Sequence, residues 1–307
     1  MIVFPLPGAV VLSISGRHAE RYLQARLSND VKTATPQRAI IAGALSPQGK
    51  TELLLTLLRT DSTSFLALVD GGDPDTLTTN LGRFKVAEHL EIKDISPSHR
   101  VLHICGADAA AWLERELNAG VPRDVELGTT RLPGESLVLI IARQRTLELG
   151  FDLVAPAELI ARLEAEALKA GAYAPSHREI DALRIEAGIL AFPDDVNDGV
   201  ILAEAAMPAT VSFTKGCYVG QEVIAKIDSL GKPPRRFIRL AIPGEHTIPV
   251  GAAVGALDGA ERPRGKVTSS AFHARRGATV LWVLLKNDGT PPAERYLVEG
   301  ITATPLE

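Results

Sequence analysis

Apolar residues recur at helical spacing in five stretches of the first 190 residues: "GRHAERYLQARLS" (16–28, opened by Ser15), "DPDTLTTNLGRF" (73–84), "GADAAAWLEREL" (106–117), "APAELIARLEAEALKAG" (155–171) and "SHREIDALRIEAG" (176–188). This spacing predicts helices, the last of them preceded by Pro175 and ended by Gly188. Between them lie strand patterns. "AIIAGALSPQGKTELLLTLLR" and "SFLALV" read as strands joined by Gly/Pro turns, "LVLIIA" (137–142) has strand length, and "MIVFPLPGAVVLSISG" reads as a strand entering the fold. After "SLGKPPRR" the helical period disappears. The short runs "RFIRLAI", "AAVGAL", "GKVTSSAF", "ATVLWVLL" and "RYLVEG", spaced by Gly, Pro and Asp, predict a small all-β barrel or sandwich. The Gly-Lys-Pro-Pro stretch is the expected boundary, because proline stiffens the chain and blocks a continuing helix.

The chain has 307 residues, 46% hydrophobic and 23% charged, enough to bury a core in two or three domains. No apolar run reaches the ~18 residues of a membrane span, and the N-terminus lacks the basic start and cleavage site of a signal, so a cytoplasmic location is expected. The two cysteines, Cys105 and Cys217, are far apart and without a Cys-x-x-Cys partner. Neither a disulfide framework nor a self-contained metal site is expected. The net charge of −4 conceals an asymmetry: from Gly231 onward there are 11 Lys and Arg against 7 Asp and Glu. A solvated surface explains that excess most simply, and a seat for an anionic ligand or RNA is the sharper account.

Three stretches could carry chemistry. In "SFTKGCYVGQEVIAKIDSLGKPPRRF" (212–237), a helix starting near Val219 would place Cys217 at its N-terminal end with Lys215 two residues away, and both would favour thiolate. A small buried residue in a tight turn is the alternative. Cys105, between a strand and a helix, reads as structural. In "REIDALRIEAGILAFPDD" (178–195), Asp181 and Arg184 can pair at i, i+3 while Glu186 points elsewhere; a helix-borne carboxylate here could accept paired N–H donors from a heterocycle, or the helix could simply carry surface ions. In "ARLSNDVKTATPQRAIIAGALSPQGKTELLL" (25–55), turn chemistry accounts for most of Asn29, Asp30 and Gln48.

"KGCYVGQE" at 215–222 resembles the Lys-Gly-Cys-aromatic-x-Gly-Gln-Glu signature of the YgfZ family of folate-binding proteins, relatives of the glycine cleavage T-protein. "LQARLSNDV", "ALSPQGK" and "LRIEAGILAFPDD" resemble further segments of that superfamily, and the β-rich end resembles its terminal barrel, so the resemblance spans nearly the whole chain. It implies an α+β fold, a three-lobed ring of the glycine cleavage T-protein type, with a folate-binding region over residues 1–230 in two interleaved lobes and a β-barrel over 231–307. It also implies that tetrahydrofolate or a derivative is bound, with Glu186 on the pterin. Arg184 and Gln221 are further candidates for the folate site, and the basic Arg235 and Arg236 near the boundary are expected to face the folate's glutamate tail rather than RNA. The aminomethyltransferases carry an acidic pair where this chain reads "QGKTELLL", which leaves only Glu52. That loss agrees with the YgfZ family, and the resemblance implies an accessory role in assembly or repair of iron–sulfur enzymes, with Cys217 and Lys215 expected as the reactive centre and enzymatic turnover left open. A folate-dependent aminomethyltransferase or demethylase is one alternative. A tRNA-binding or tRNA-modification factor is another, and few aromatic residues offer stacking platforms for bases. Folate and iron–sulfur client proteins are the expected partners, with nucleic acid and membrane disfavoured and a monomer expected.

Overall fold

The computed structural model describes residues 1–123, 126–134, 136–256, 263–289 and 293–306. Sixteen strands and six α-helices lie within them. In chain order the strands are β1 (Ile2–Pro5), β2 (Val10–Ser15), β3 (Ile40–Leu45), β4 (Thr51–Arg59), β5 (Ser64–Val69), β6 (Glu91–Asp94), β7 (His99–Cys105), β8 (Thr129–Arg131), β9 (Leu139–Ala142), β10 (Gly150–Pro156), β11 (Arg235–Pro243), β12 (Ala253–Ala256), β13 (Gly265–His273), β14 (Ala278–Lys286), β15 (Tyr296–Val298) and β16 (Ile301–Pro305). The helices are α1 (Ala19–Arg26), α2 (Pro74–Gly82), α3 (Ala109–Leu117), α4 (Ala157–Lys169), α5 (His177–Glu186) and α6 (Gln221–Leu230).

Two five-stranded sheets stack face to face. The first has the order β3-β4-β5-β2-β6 and the second β1-β7-β10-β9-β8. Their inner faces meet in one apolar layer, with Val11, Leu58, Leu66 and Leu68 from the first sheet against Val101, Leu139, Ile141 and Val154 from the second. The outer face of the first sheet packs on α1 and α2 through Tyr22, Leu23, Leu77 and Leu81. That of the second packs on α3 and α4 through Trp112, Leu113, Ile160 and Leu163. Central strands are thus buried on both faces, which is why "SFLALV" and "LVLIIA" read as continuous apolar runs. β11 to β16 close into a barrel in the order β11-β14-β13-β12-β15-β16, its interior filled by Leu240, Ile242, Val254, Val267, Val283 and Val298. α5 joins the barrel to the rest by packing Ala182 and Ile185 on Ala271, Val280 and Trp282.

All six predicted helices form, with shifted starts. Ser15 does not open α1: it pairs with Ser64 and Glu91 as the last residue of β2, and Gly16 (φ +141°) turns the chain before the helix. The apolar N-terminus is two strands rather than one, because Leu6–Gly8 carries the chain from the second sheet to the first. The barrel pattern predicts β11 to β15; β16 carries alternating Thr residues and was not among the expected runs. Leu257, the end of "AAVGAL", lies outside the described residues.

Candidate functional site

A cavity of about 470 Å³ opens where both sheets meet α5. Its walls are the β1–β2 linker with Phe4, Asp70 and Gly71 after β5, Arg145 from the β9–β10 turn, Ile180, Asp181 and Arg184 on α5, and the 189–194 segment with Leu190, Phe192 and Asp194. Apolar walls with a few converging polar groups, at a volume of several hundred Å³, are the usual form of a small-molecule site.

Its polar groups belong to two networks. Arg184 is almost wholly buried and donates from Nε to Asp181 Oδ1 (2.8 Å), from one terminal nitrogen to Asp195 Oδ2 (2.8 Å) and from the other to Ser269 Oγ (2.7 Å). Asp195, fully buried, also accepts from Thr268 and Ser269 of the barrel and from the Ala191 amide (2.9 Å). Arg184 therefore ties α5, the 189–195 segment and the barrel together; of its expected roles, the geometry gives this structural one. Asp181 lines the cavity, and its Oδ2 has the exposed His177 ring 3.6 Å away.

The second network joins the sheets. Arg145 donates to both oxygens of Asp152 (2.8 Å each) and to Asp70 Oδ1 (2.7 Å), and Arg143 donates to Asp70 Oδ2 (3.2 Å). His103 Nδ1 completes it at 2.8 Å from Asp152 Oδ1. Burial alone would raise the Asp152 carboxyl, but Arg145 and His103 hold it well below the usual carboxylate range. Asp70 is lowered in the same way by Arg145 and Arg143 against its burial. Burial lowers His103, whose Nε2 is without a hydrogen-bond partner, so the ring is neutral and donates from Nδ1. The sequence reading passed over this network. Its signal was Asp152 at an inward position between Phe151 and Leu153, where a carboxylate is tolerated only if paired.

Glu186 is not among the residues that line this cavity. Both its oxygens are engaged by the barrel, Oε2 by His273 Nε2 (2.8 Å) and Oε1 by Arg276 Nε (2.7 Å), and its carbonyl accepts from Arg239. The expected face assignment holds in part: Asp181 and Arg184 pair, and Glu186 does point elsewhere. Arg235, expected towards a ligand's tail, is likewise engaged, by the buried Glu204 (2.7 and 2.5 Å) and by the Gly199 carbonyl (2.7 Å). Arg236 sits half-buried in β11 opposite Leu285.

The "KGCYVGQE" loop lies on the first sheet's helix side. Lys215 Nζ donates to the carbonyls of Gln24 (2.6 Å), Leu27 (2.7 Å) and Asn29 (2.8 Å), closing the C-terminal end of α1. Burial pulls its pKa down to about 8, with Asp30 opposing. All three N–H donors are thereby directed at α1 rather than at the thiol. α6 begins at Gln221, later than expected, because Gly220 holds a left-handed turn (φ +84°) pressed against the β3–β4 hairpin, where a Cβ would stand 2.6 Å from the Ser46 carbonyl. The expected pairing of lysine and helix start around the sulfur is therefore not the arrangement found. Gln221 folds back on Tyr218, which is buried, and Cys217 between these anchors is exposed. It does not line the 470 Å³ cavity. Cys105 is fully buried beside Thr146 (3.6 Å), and burial pushes its thiol pKa up. Glu52, the acid of "QGKTELLL", is held by Arg26 (2.6 Å) and Arg83.

Two stacked sheets bridged by a helix to a closed barrel, with a cavity at their meeting, define a protein of the glycine cleavage T-protein class. The GCVT N-terminal domain family matches residues 8–215, and the chain belongs to that family. The YgfZ resemblance is borne out: the tRNA-modifying protein YgfZ of Shigella sonnei (strain Ss046) is 25% identical over 292 residues, covering 91% of this chain and 83% of that protein, and the one from Colwellia psychrerythraea (strain 34H / ATCC BAA-681) is 24% identical over 292 residues, covering 92% and 85%. The crystal structure of glycine cleavage system aminomethyltransferase T from Bartonella henselae superimposes with a TM-score of 0.85 at 17% identity, over 99% of this chain and 84% of that one. The expected α+β fold with its terminal barrel is thereby shown. No helix among the described residues is long and apolar enough to cross a membrane.

Proposed function

We propose that the chain binds a reduced folate in the cavity between the sheets and α5, as an accessory protein to iron–sulfur enzymes in the cytoplasm, and does not transfer the folate's carbon unit. The observation that carries this is the cavity itself: apolar walls from Phe4, Ile180, Leu190 and Phe192 suit a flat heterocycle, and Asp181 Oδ2 and Asp194 offer acceptors for the N–H groups of a pterin edge. Asp181 takes the role expected of Glu186, whose carboxylate is engaged elsewhere. The carboxylate a methylene transfer would need is missing for a similar reason, since both Glu52 oxygens are engaged by arginines. Cys217, exposed on an anchored loop, is the group offered to a client protein. Isothermal titration with tetrahydrofolate tests the reading. Binding to the unaltered protein and a loss of about tenfold or more in Asp181→Asn are expected, with Cys217→Ser unchanged; no heat of binding, or full affinity in Asp181→Asn, overturns it.

A second reading, a part in tRNA modification itself, is supported by the name of the curated relatives and by the basic excess of the barrel region.

A further inference from the structure

A depression of about 260 Å³ on the outside of the barrel is lined by Arg235, Arg264, Lys266 and Lys286 around Pro263, Gly265 and Leu284. Three of these cations form a row across three adjacent strands. Arg235 of β11 is paired in register with Lys286 of β14, and the Lys286 amide donates to the carbonyl of Arg264 just before β13 (2.8 Å). Lys266 lies one residue into β13, and the exposed Lys232 brings its ammonium to Gly289, close beyond the end of β14. Among the described residues, the carboxylates that pair with this row are Glu204, buried under Arg235, and Asp288, 3.9 Å from Arg264. Like charges on directly opposed strand positions destabilise a sheet unless something shares them. Arg235 and Arg264 meet these carboxylates, and the exposed Lys232, Lys266 and Lys286, which have no carboxylate partner among the described residues, are left for an anion from outside.

The geometry points to this strip as a docking surface for the phosphate backbone of an RNA stem. Adjacent strands are about 4.8 Å apart, so the row spans roughly 10 Å. A nucleic-acid strand presents one charge about every 3.4 Å of axis and offers several phosphates across that distance. No aromatic ring lines the depression, so it has no platform for unstacked bases and suits contact with a paired backbone. A polypeptide fits less well. β14 is paired on both sides, and β13 is paired with β12 as well as β14 at Gly265 and Lys266, so neither offers an edge for an added strand at the depression, which also holds no deep apolar pocket for an anchor. The folate tail is also a poor fit, because the depression and the folate cavity share no lining residue. The inference extends the tRNA reading above and is independent of folate binding.

Fluorescence anisotropy of an unmodified tRNA transcript, titrated with the full-length protein at several salt concentrations, tests it. Lys266→Glu/Lys286→Glu is expected to weaken binding at least tenfold at low salt and to reduce the slope of log affinity against log salt by about 2, close to one per lost phosphate contact. Lys266→Gln/Lys286→Gln should show the same slope change with a smaller loss. Arg115→Glu/Lys169→Glu, the same charge change on exposed positions of α3 and α4, should leave the slope as it is. If the unaltered protein does not bind the transcript, both the strip and the tRNA reading fail. If it binds and the lysine variants keep affinity and slope, the strip alone fails. A polyglutamate peptide that displaces the transcript at equal charge concentration would make the surface an acidic-polypeptide site and overturn the RNA assignment.

Discussion

At the scale of single residues, the loop with the signature is an anchored platform for a thiol. Lys215 donates to three carbonyls at the end of α1, and its ammonium lies 5.2 Å from the centre of the Tyr218 ring. Lys215→Met would leave those acceptors to whatever water can reach them, so a loss of about 2 kcal/mol in urea unfolding is expected, within the range for an unsatisfied buried group. The accessibility of the two cysteines separates them: in the native protein, the thiol left in Cys105→Ser should be alkylated readily, and the thiol left in Cys217→Ser only after unfolding. Equal rates would remove the distinction. His103 gives a pH dependence of definite sign. Its folded pKa lies below the ordinary 6.5, so the unfolded chain binds the proton more readily, and stability must fall as pH drops below 6.5 and be fully present above it. His103→Gln, which keeps a donor for Asp152, should show a smaller fall in urea midpoint between pH 7 and pH 5 than the unaltered protein. The loss from Asp152, whose pKa is lowered, begins only lower, as pH passes below its ordinary 3.8.

At the scale of elements, α5 connects the cavity to the barrel. It starts with a capping box, Ser176 and Glu179 each bonded to the other's backbone amide, and it is followed by Gly188 in the left-handed region (φ +77°), both features visible in "PSHREIDALRIEAG". Ser176→Ala is expected to cost about 1 kcal/mol. Asp195→Ala should cost far more, about 3–5 kcal/mol, because it leaves the buried Arg184 without its fully buried counter-charge and the Ala191 amide and Ser269 hydroxyl without their acceptor. Thermal melting of the two variants side by side checks the order; a larger effect for Ser176→Ala would contradict the network described for Arg184.

At the scale of the whole molecule, the two sheets are held by an apolar layer with one charged patch, Asp70 from the first sheet meeting Arg143 and Arg145 from the second. Asp70 and Arg145 also form part of the cavity wall, so stability and binding are coupled there. Arg145→Met removes a buried cation from two carboxylates and should lower both the melting temperature and tetrahydrofolate affinity. Unchanged folate affinity in a destabilised Arg145→Met protein would place the ligand away from this wall.

The helices, most of the barrel and the family were legible along the chain. Local periodicity, capping residues and turn glycines depend on neighbours a few positions away, so the six helices, five of the barrel strands and the signature loop were legible without a structure. Only the tertiary structure decided which charged groups are available. Glu186, Arg235 and Glu52 look like free functional groups along the chain, yet each meets its counter-charge across 26 to 90 residues of sequence, in His273 and Arg276, in Glu204 and in Arg26. Asp181, which the sequence marks only as a partner for Arg184, lines the cavity together with Asp194. Counter-charges brought together by sheet stacking and barrel docking have no local pattern, and burial makes such pairing decisive, because an unpaired buried charge costs several kcal/mol.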